Sequence, residues 1–101
     1  MTTVVCENKN QNLGSVKEGT IVNVEYTITN AGTEDLYITD VVTSCGCTAP
    51  NWLRTPVKPN ESTTITLNFN STGRRGLNTK EARVAGNFQH QVILLFTVTV
   101  V

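Results

Sequence analysis

Hydrophobic and polar residues alternate one by one along much of this chain, in short runs separated by turn-forming residues. A period of two puts one set of side chains on each face of an extended chain, so each run predicts a half-buried β-strand. The clearest runs cover residues 22–29, 64–69, 77–85 and 92–100, and shorter ones lie near Val4 and at 36–42. No segment shows the period of an amphipathic helix. The pattern therefore predicts an all-β protein.

Two segments interrupt this alternation. Residues 8–20 contain Gly14 and Gly19 and are predicted to be a connection. Residues 48–60 contain three prolines, which cannot donate to a strand ladder, so this segment is predicted to be a loop or a weak edge strand. About seven short strands, with turns about every ten residues, are typical of an immunoglobulin-like sandwich of antiparallel strands. Residues 1–101 are expected to form one such domain.

Charge and hydropathy exclude several classes of function. Eight Lys and Arg balance eight Asp and Glu, so the expected partners do not include nucleic acid. The chain lacks the long apolar stretch that membrane insertion requires. Its first residues show no signal peptide, which predicts synthesis in a host cytoplasm. In that compartment the three cysteines are expected to be thiols.

Several motifs, taken in order, resemble a bacterial Ig-like family of unknown function. The most specific is Ser44-Cys45-Gly46-Cys47-Thr48, which resembles the S-C-G-C motif of that family. Weaker matches lie in residues 13–19, 26–32, 36–43, 59–62 and 69–76. The family is related to the Hydin-like (ASH) modules of cilia and centrosomes. The resemblance covers about residues 10–100, and it implies a seven-strand sandwich with a binding or scaffolding role and no catalytic residues.

The chain differs from most members of that family, which follow a secretory or lipoprotein leader. A lone module without a leader is similar to the small Ig-like decoration proteins of tailed-phage capsids. This similarity implies a non-enzymatic auxiliary protein that is present in many copies on a virion. A bacterial cell-envelope or scaffolding adaptor is the alternative.

Cys45 and Cys47 are the only candidates for chemistry, and they provide a second alternative, a thiol or metal protein. Two thiolates one residue apart can hold a soft metal or supply half of a zinc site, for which Cys6 and His90 would have to converge on them. A Cys-Gly-Cys disulfide would be easily reduced. The favoured interpretation is simpler. One or both cysteines are small core residues in a tight bend, with Gly46 in an unusual backbone conformation. No cofactor, metal or catalytic residue is predicted.

Five residues are candidates for contact with a protein partner. Val92, Leu94 and Phe96 are expected to point into the core, which would turn Ile93 and Leu95 outward. Either the chain's own loops or first strand cover this face, or a partner does.

The other three candidates lie in connections. Trp52 is either a lid on the sandwich edge or a contact residue. Arg74 and Arg75 form a basic loop that could meet an acidic partner or a phosphate, although a solvated loop is the default interpretation.

Overall fold

Eight β-strands form two four-stranded sheets in the structure, a computed structural model that describes all of residues 1–101. The all-β, sandwich-like arrangement confirms the predicted fold class. The strands are β1 (Val4–Val5), β2 (Asn10–Val16), β3 (Ile21–Asn30), β4 (Ile38–Thr43), β5 (Thr48–Trp52), β6 (Ser62–Asn70), β7 (Gly76–Gly86) and β8 (Val92–Val100). No helix long and apolar enough to cross a membrane occurs in it.

The first sheet has the order β1-β3-β6-β5 and is antiparallel throughout. β6 pairs with β3 from Ile21 to Thr29, whereas β1 pairs only with the last two residues of β3. β5 forms an edge of this sheet and contains Pro50, as the prediction of a weak edge strand allowed.

The second sheet has the order β2-β8-β7-β4, and it corrects two expectations. β2 lies within the predicted connection, and it runs parallel to β8, whereas every strand was expected to be antiparallel. β2 begins with three polar residues, Asn10 to Asn12, so the sequence shows no alternation there. Main-chain pairing with β8 holds this strand more than apolar side chains do. Gly14, with φ of 72°, lies where the register shifts between Asn12 and Ser15.

The core lies between the sheets and consists mainly of alternate residues of the predicted strands, together with Val57 from the segment between β5 and β6. Phe69 of β6 and Phe96 of β8 meet edge to face across it, with ring centroids 5.6 Å apart. Tyr26 is fully buried and donates a hydrogen bond to the Leu95 carbonyl, 2.8 Å away, which ties β3 to β8. Of the predicted inward positions of β8, those from Leu94 to Val100 are buried, whereas Val92 is only partly buried and packs against the core. Ala82 and Val84 of β7 lie on the same buried face.

Residues 2–9, here called the N-terminal strap, close one side of the sandwich. Val4 and Val5 pair with β3 of the first sheet. The Thr2 amide donates to Asn87 O at 2.8 Å, and Lys9 O accepts from the Leu95 amide at 2.7 Å, so the strap also contacts the second sheet. The strap therefore joins the two sheets along this side.

Candidate functional site

Ile93 and Leu95 lie on the outer face of the second sheet, as the alternation predicted. Both side chains are half-buried, with Arg83 opposite Ile93 and Glu81 opposite Leu95 on β7. Val42 of β4 lies on the other side of Arg83 and is 56% exposed. We call Val42, Ile93 and Leu95 the outer apolar patch.

Val42 was not among the predicted contact residues. The alternation breaks near Asp40, so the sequence does not show whether Val41 or Val42 continues the pattern of the strand. The structure has an irregularity between Ile38 and Asp40, after which Val41 is buried and Val42 points outward. The break in the alternation near Asp40 is thus the only feature of the sequence that indicates an outward position for Val42.

The chain itself covers part of this patch. The strap and residues 88–93 enclose a crevice of about 140 Å³ whose lining includes Ile93. Leu95 pairs with Asn10 of β2 on one side and with Glu81 of β7 on the other. The remaining surface of both side chains faces solvent, and its contact with a partner stays a prediction.

Trp52 ends β5 and covers the gap between the two sheets on the side opposite the strap. Its indole Nε1 donates to the Ile38 carbonyl of β4 at 3.3 Å. The Arg54 guanidinium lies 4.3 Å from the ring centroid on the outer side, a cation–π contact. These contacts fit a lid on the sandwich edge, the first of its two expected roles, and contact with a partner stays a prediction.

Arg74 and Arg75 lie in the loop between β6 and β7, and their side chains have different surroundings. Arg75 Nε donates to Glu18 Oε1 at 2.7 Å, and the Gly73 amide donates to the other carboxylate oxygen. Both hydrogen bonds lower the pKa of Glu18, and the one from Arg75 has the larger effect. Arg74 makes no ion pair, so its charge is unpaired at this end of the sandwich.

Cys45 and Cys47 form a disulfide, which corrects the expectation of three free thiols. The turn from β4 to β5 crosses between the two sheets and brings the two Cα atoms to 5.2 Å, within the range that a disulfide spans. Both residues are half-buried, and Cys47 packs against the core. Gly46 does not have a positive φ, so the expectation of an unusual backbone conformation at this glycine was wrong.

Hydrogen bonds hold this turn from several directions. The Asn70 amide of β6 donates to Cys47 O at 2.9 Å, and the Thr48 amide donates to Cys45 O at 3.1 Å. Thr43 Oγ1 reaches Thr48 O at 3.1 Å. The backbone of the turn is thus positioned by contacts that do not involve the S–S bond.

A shallow, open depression of about 440 Å³ brings together two of the residues singled out from the sequence, Cys47 and Arg74. Its other lining residues are mostly small or polar: Ile21, Gly46, Ala49, Asn68, Asn70 and Thr72. The Asn70–Cys47 hydrogen bond joins the loop that follows β6 to the Cys-Gly-Cys turn, which explains why the two meet. We call this place the disulfide pole.

Cys6 and His90 do not join the disulfide to form a metal site. Both line the crevice beside the strap, and no group of three or more His, Cys, Asp or Glu side chains is arranged to hold a metal ion. Cys6 is half-buried, its Sγ lies 3.5 Å from Asn8 Oδ1, and burial raises the pKa of its thiol. Cys45 and Cys47 in their disulfide offer no thiolate to a metal.

Several solved structures share this fold at low sequence identity. A Porphyromonas gingivalis W83 protein of unknown function matches 97% of this chain with a TM-score of 0.81 and 14% identity. The Vibrio cholerae VesB protease matches 97% with a TM-score of 0.72 and 13% identity. WR4, a C. elegans MSP family member, matches over the full length of both chains with a TM-score of 0.64 and 12% identity.

This chain spans 46% of the P. gingivalis protein and 31% of VesB, so in those proteins the shared fold is one part of a longer chain. A comparison with curated proteins gives no significant match. The sequence profile of the family described as "Protein of unknown function (DUF1573)" matches residues 4–100. That match spans nearly the whole chain, which therefore belongs to the DUF1573 family.

Proposed function

We propose that this chain is a non-enzymatic structural module that binds a larger protein assembly through its outer apolar patch. The observation that carries the proposal is the group of apolar side chains on the solvent side of the second sheet, with Ile93 and Leu95 on β8 and Val42 across Arg83 on β4. Apolar side chains grouped on a surface mark protein–protein contacts. Arg83, between Val42 and Ile93, and Glu81, beside Leu95, would supply polar contacts within such an interface.

The first candidate for the assembly is the capsid of a tailed phage. The supporting argument is the resemblance to Ig-like decoration proteins. A patch of three apolar side chains gives a weak contact, but many copies on a symmetric shell would add their contacts together.

The second candidate is a bacterial cell-envelope or scaffolding adaptor of the S-C-G-C type, related to Hydin-like modules. The Cys45–Cys47 disulfide favours it because disulfides persist in oxidising compartments outside the cytoplasm. The same argument does not exclude a virion, whose surface is also oxidising. The fold also occurs as part of a larger chain in the VesB protease.

A double substitution on the patch tests the proposal. In Ile93→Thr/Leu95→Thr, we expect co-sedimentation with the native assembly to fall at least about tenfold, because each lost apolar side chain contributes roughly 1 kcal/mol or more to an interface. The free energy of unfolding should change much less, since both side chains are already half-exposed. Thr64→Ala/Thr66→Ala, on the outer face of the first sheet, is the matched control and should sediment as the parent protein does.

The partner is identified by gradient sedimentation of the native protein from its source. Migration with a megadalton particle would support the capsid candidate, and migration with an envelope fraction would support the adaptor. An equal loss of binding and stability in the double variant would place Ile93 and Leu95 in the core and refute the proposed interface.

A further inference from the structure

We propose that the disulfide pole is a disulfide-exchange site, where the Cys45–Cys47 bond is transferred to the dithiol of another protein. This inference is independent of the outer apolar patch, which lies on the outer face of the second sheet. It depends on three observations: the position of the disulfide in a turn, the depression that leads to Cys47, and the unpaired charge of Arg74 in that depression.

The disulfide contributes little as a cross-link. Only Gly46 separates the two cysteines, and the chain-entropy stabilisation from a disulfide becomes smaller as the loop that it closes becomes shorter. The hydrogen bonds from Asn70 and Thr48 already fix the turn. A bond that is not needed to position its surroundings can be opened without unfolding them.

Cys47 is the sulfur that an incoming thiolate would attack. It lines the open depression, which Cys45 does not. Arg74 lines the same depression and makes no ion pair, so its charge attracts a thiolate to this place. Arg74 is thus a positioning residue, and it takes no part in bond making.

Cys45 is the leaving group. Its Sγ accepts a hydrogen bond from the Cys47 amide at 3.2 Å, and this donor stabilises the negative charge that forms on Cys45 as the bond breaks. A backbone N–H aimed at a sulfur favours its thiolate form, and a better-stabilised thiolate leaves faster.

The exchange balances in two steps. A partner thiolate attacks Cys47 Sγ, the Cys45–Cys47 bond breaks, and Cys45 departs as a thiolate, leaving a mixed disulfide between the partner and Cys47. The second thiolate of the partner then attacks the partner's own sulfur in that mixed disulfide and releases the Cys47 thiolate. The partner dithiol is oxidised to a disulfide, Cys45 and Cys47 are reduced by the same two electrons, and the two thiolates take up the protons that the partner thiols lost.

The test uses reduced glutathione as the attacking thiol and follows the oxidised full chain by mass spectrometry. We expect a mixed disulfide that peptide mapping places on Cys47. In Arg74→Gln its rate of formation should fall about two- to fivefold, the factor that corresponds to one exposed charge interaction of about 0.4–1 kcal/mol. Arg75→Gln is the matched control, because Arg75 is paired with Glu18 and does not line the depression.

Two further measurements complete the test. Cys6→Ser should leave the reaction unchanged, because the half-buried Cys6 lies in the separate crevice beside the strap. Dithiothreitol, a small dithiol, should reduce the disulfide without the intermediate accumulating, and circular dichroism should show the fold intact afterwards. An adduct mainly on Cys45, equal rates for Arg74→Gln and Arg75→Gln, or loss of the fold on reduction would each overturn the proposal.

Discussion

The buried amide of Asn30 connects more of the structure than any other polar side chain in the core. Its Oδ1 accepts from Thr2 Oγ1 at 2.7 Å and from the Gly32 amide at 3.0 Å, and its Nδ2 donates to Glu34 O and Val57 O. Asn30→Ala leaves several of these groups unpaired, at about 1–3 kcal/mol for each buried one. We expect the free energy of unfolding, measured with urea, to fall by about 3 kcal/mol.

Asn23 provides the control for that experiment, because it lies on the same strand with its side chain exposed. Its Oδ1 accepts a single hydrogen bond from Asn68 at 2.6 Å. Asn23→Ala should change the stability by less than about 0.5 kcal/mol. Similar losses in the two variants would show that the Asn30 network does not stabilise the fold.

Tyr26 makes the free energy of unfolding depend on pH in the alkaline range. Burial, with a smaller effect of the Cys6 charge, raises the pKa of Tyr26 well above its ordinary value. The unfolded chain therefore releases this proton near pH 10 while the folded chain retains it, so the stability from Tyr26 is present below about pH 10 and is lost above it. Tyr26→Phe should be less stable by about 1 kcal/mol at neutral pH, because it loses the hydrogen bond to Leu95 O.

The check for Tyr26 is a series of denaturation curves from pH 7 to pH 11. The difference in free energy of unfolding between the parent protein and Tyr26→Phe should become smaller above about pH 10. Tyr37→Phe, which alters an exposed side chain, should follow the parent protein throughout. If this difference in free energy stays constant with pH, Tyr26 is not the source of the pH dependence.

At the level of the strand, the exposed edge of β3 is covered by side chains instead of by a neighbouring strand. β1 pairs only with Thr29 and Asn30. Farther along, Asn8 accepts from the Thr27 amide at 3.2 Å and donates to Glu25 O, to which Gln11 also donates. Such contacts satisfy an edge that could otherwise pair with another chain.

Hydrogen exchange tests this edge cover. Asn8→Ala removes the acceptor of the Thr27 amide, so exchange of that amide should accelerate several-fold. Gln11→Ala removes only a donor to Glu25 O and should leave the Thr27 amide unchanged. If both variants exchange at the same rate as the parent protein, Asn8 does not protect the edge.

Alternation predicted the long strands that bury one face, and it failed for β2, which does not. β3, β6 and β8 place every second residue in the core, so their pattern is visible in the sequence. β2 has no fully buried residue, and its partner in the sheet is parallel and distant in sequence. A strand held mainly by main-chain pairing has no side-chain pattern that would reveal it.

Over the whole molecule, the sequence identified most residues of the candidate sites, Val42 excepted, but not their arrangement. Cys47 and Arg74 were separate candidates, and their meeting depends on the hydrogen bond from Asn70 to Cys47 O, which joins distant parts of the chain. Cys45 and Cys47 were predicted to be free thiols because the chain was expected in a cytoplasm. Their disulfide depends instead on the local path of the turn between the sheets. Spatial proximity of this kind has no signal in alternation or composition.

The N-terminal strap unites the two sheets, and Gly32 leaves the space in which it lies. A Cβ atom at Gly32 would clash with Thr2 Oγ1 and would lie 2.7 Å from the Thr3 backbone nitrogen. Gly32→Ala should therefore displace the strap from β3 and lower the free energy of unfolding by about 1–3 kcal/mol, the usual cost of overpacking. Gly46→Ala is the control, since its Cβ would meet no atom within 4 Å. Thermal unfolding of both variants measures the effect, and equal melting temperatures would show that the strap does not hold the sandwich closed.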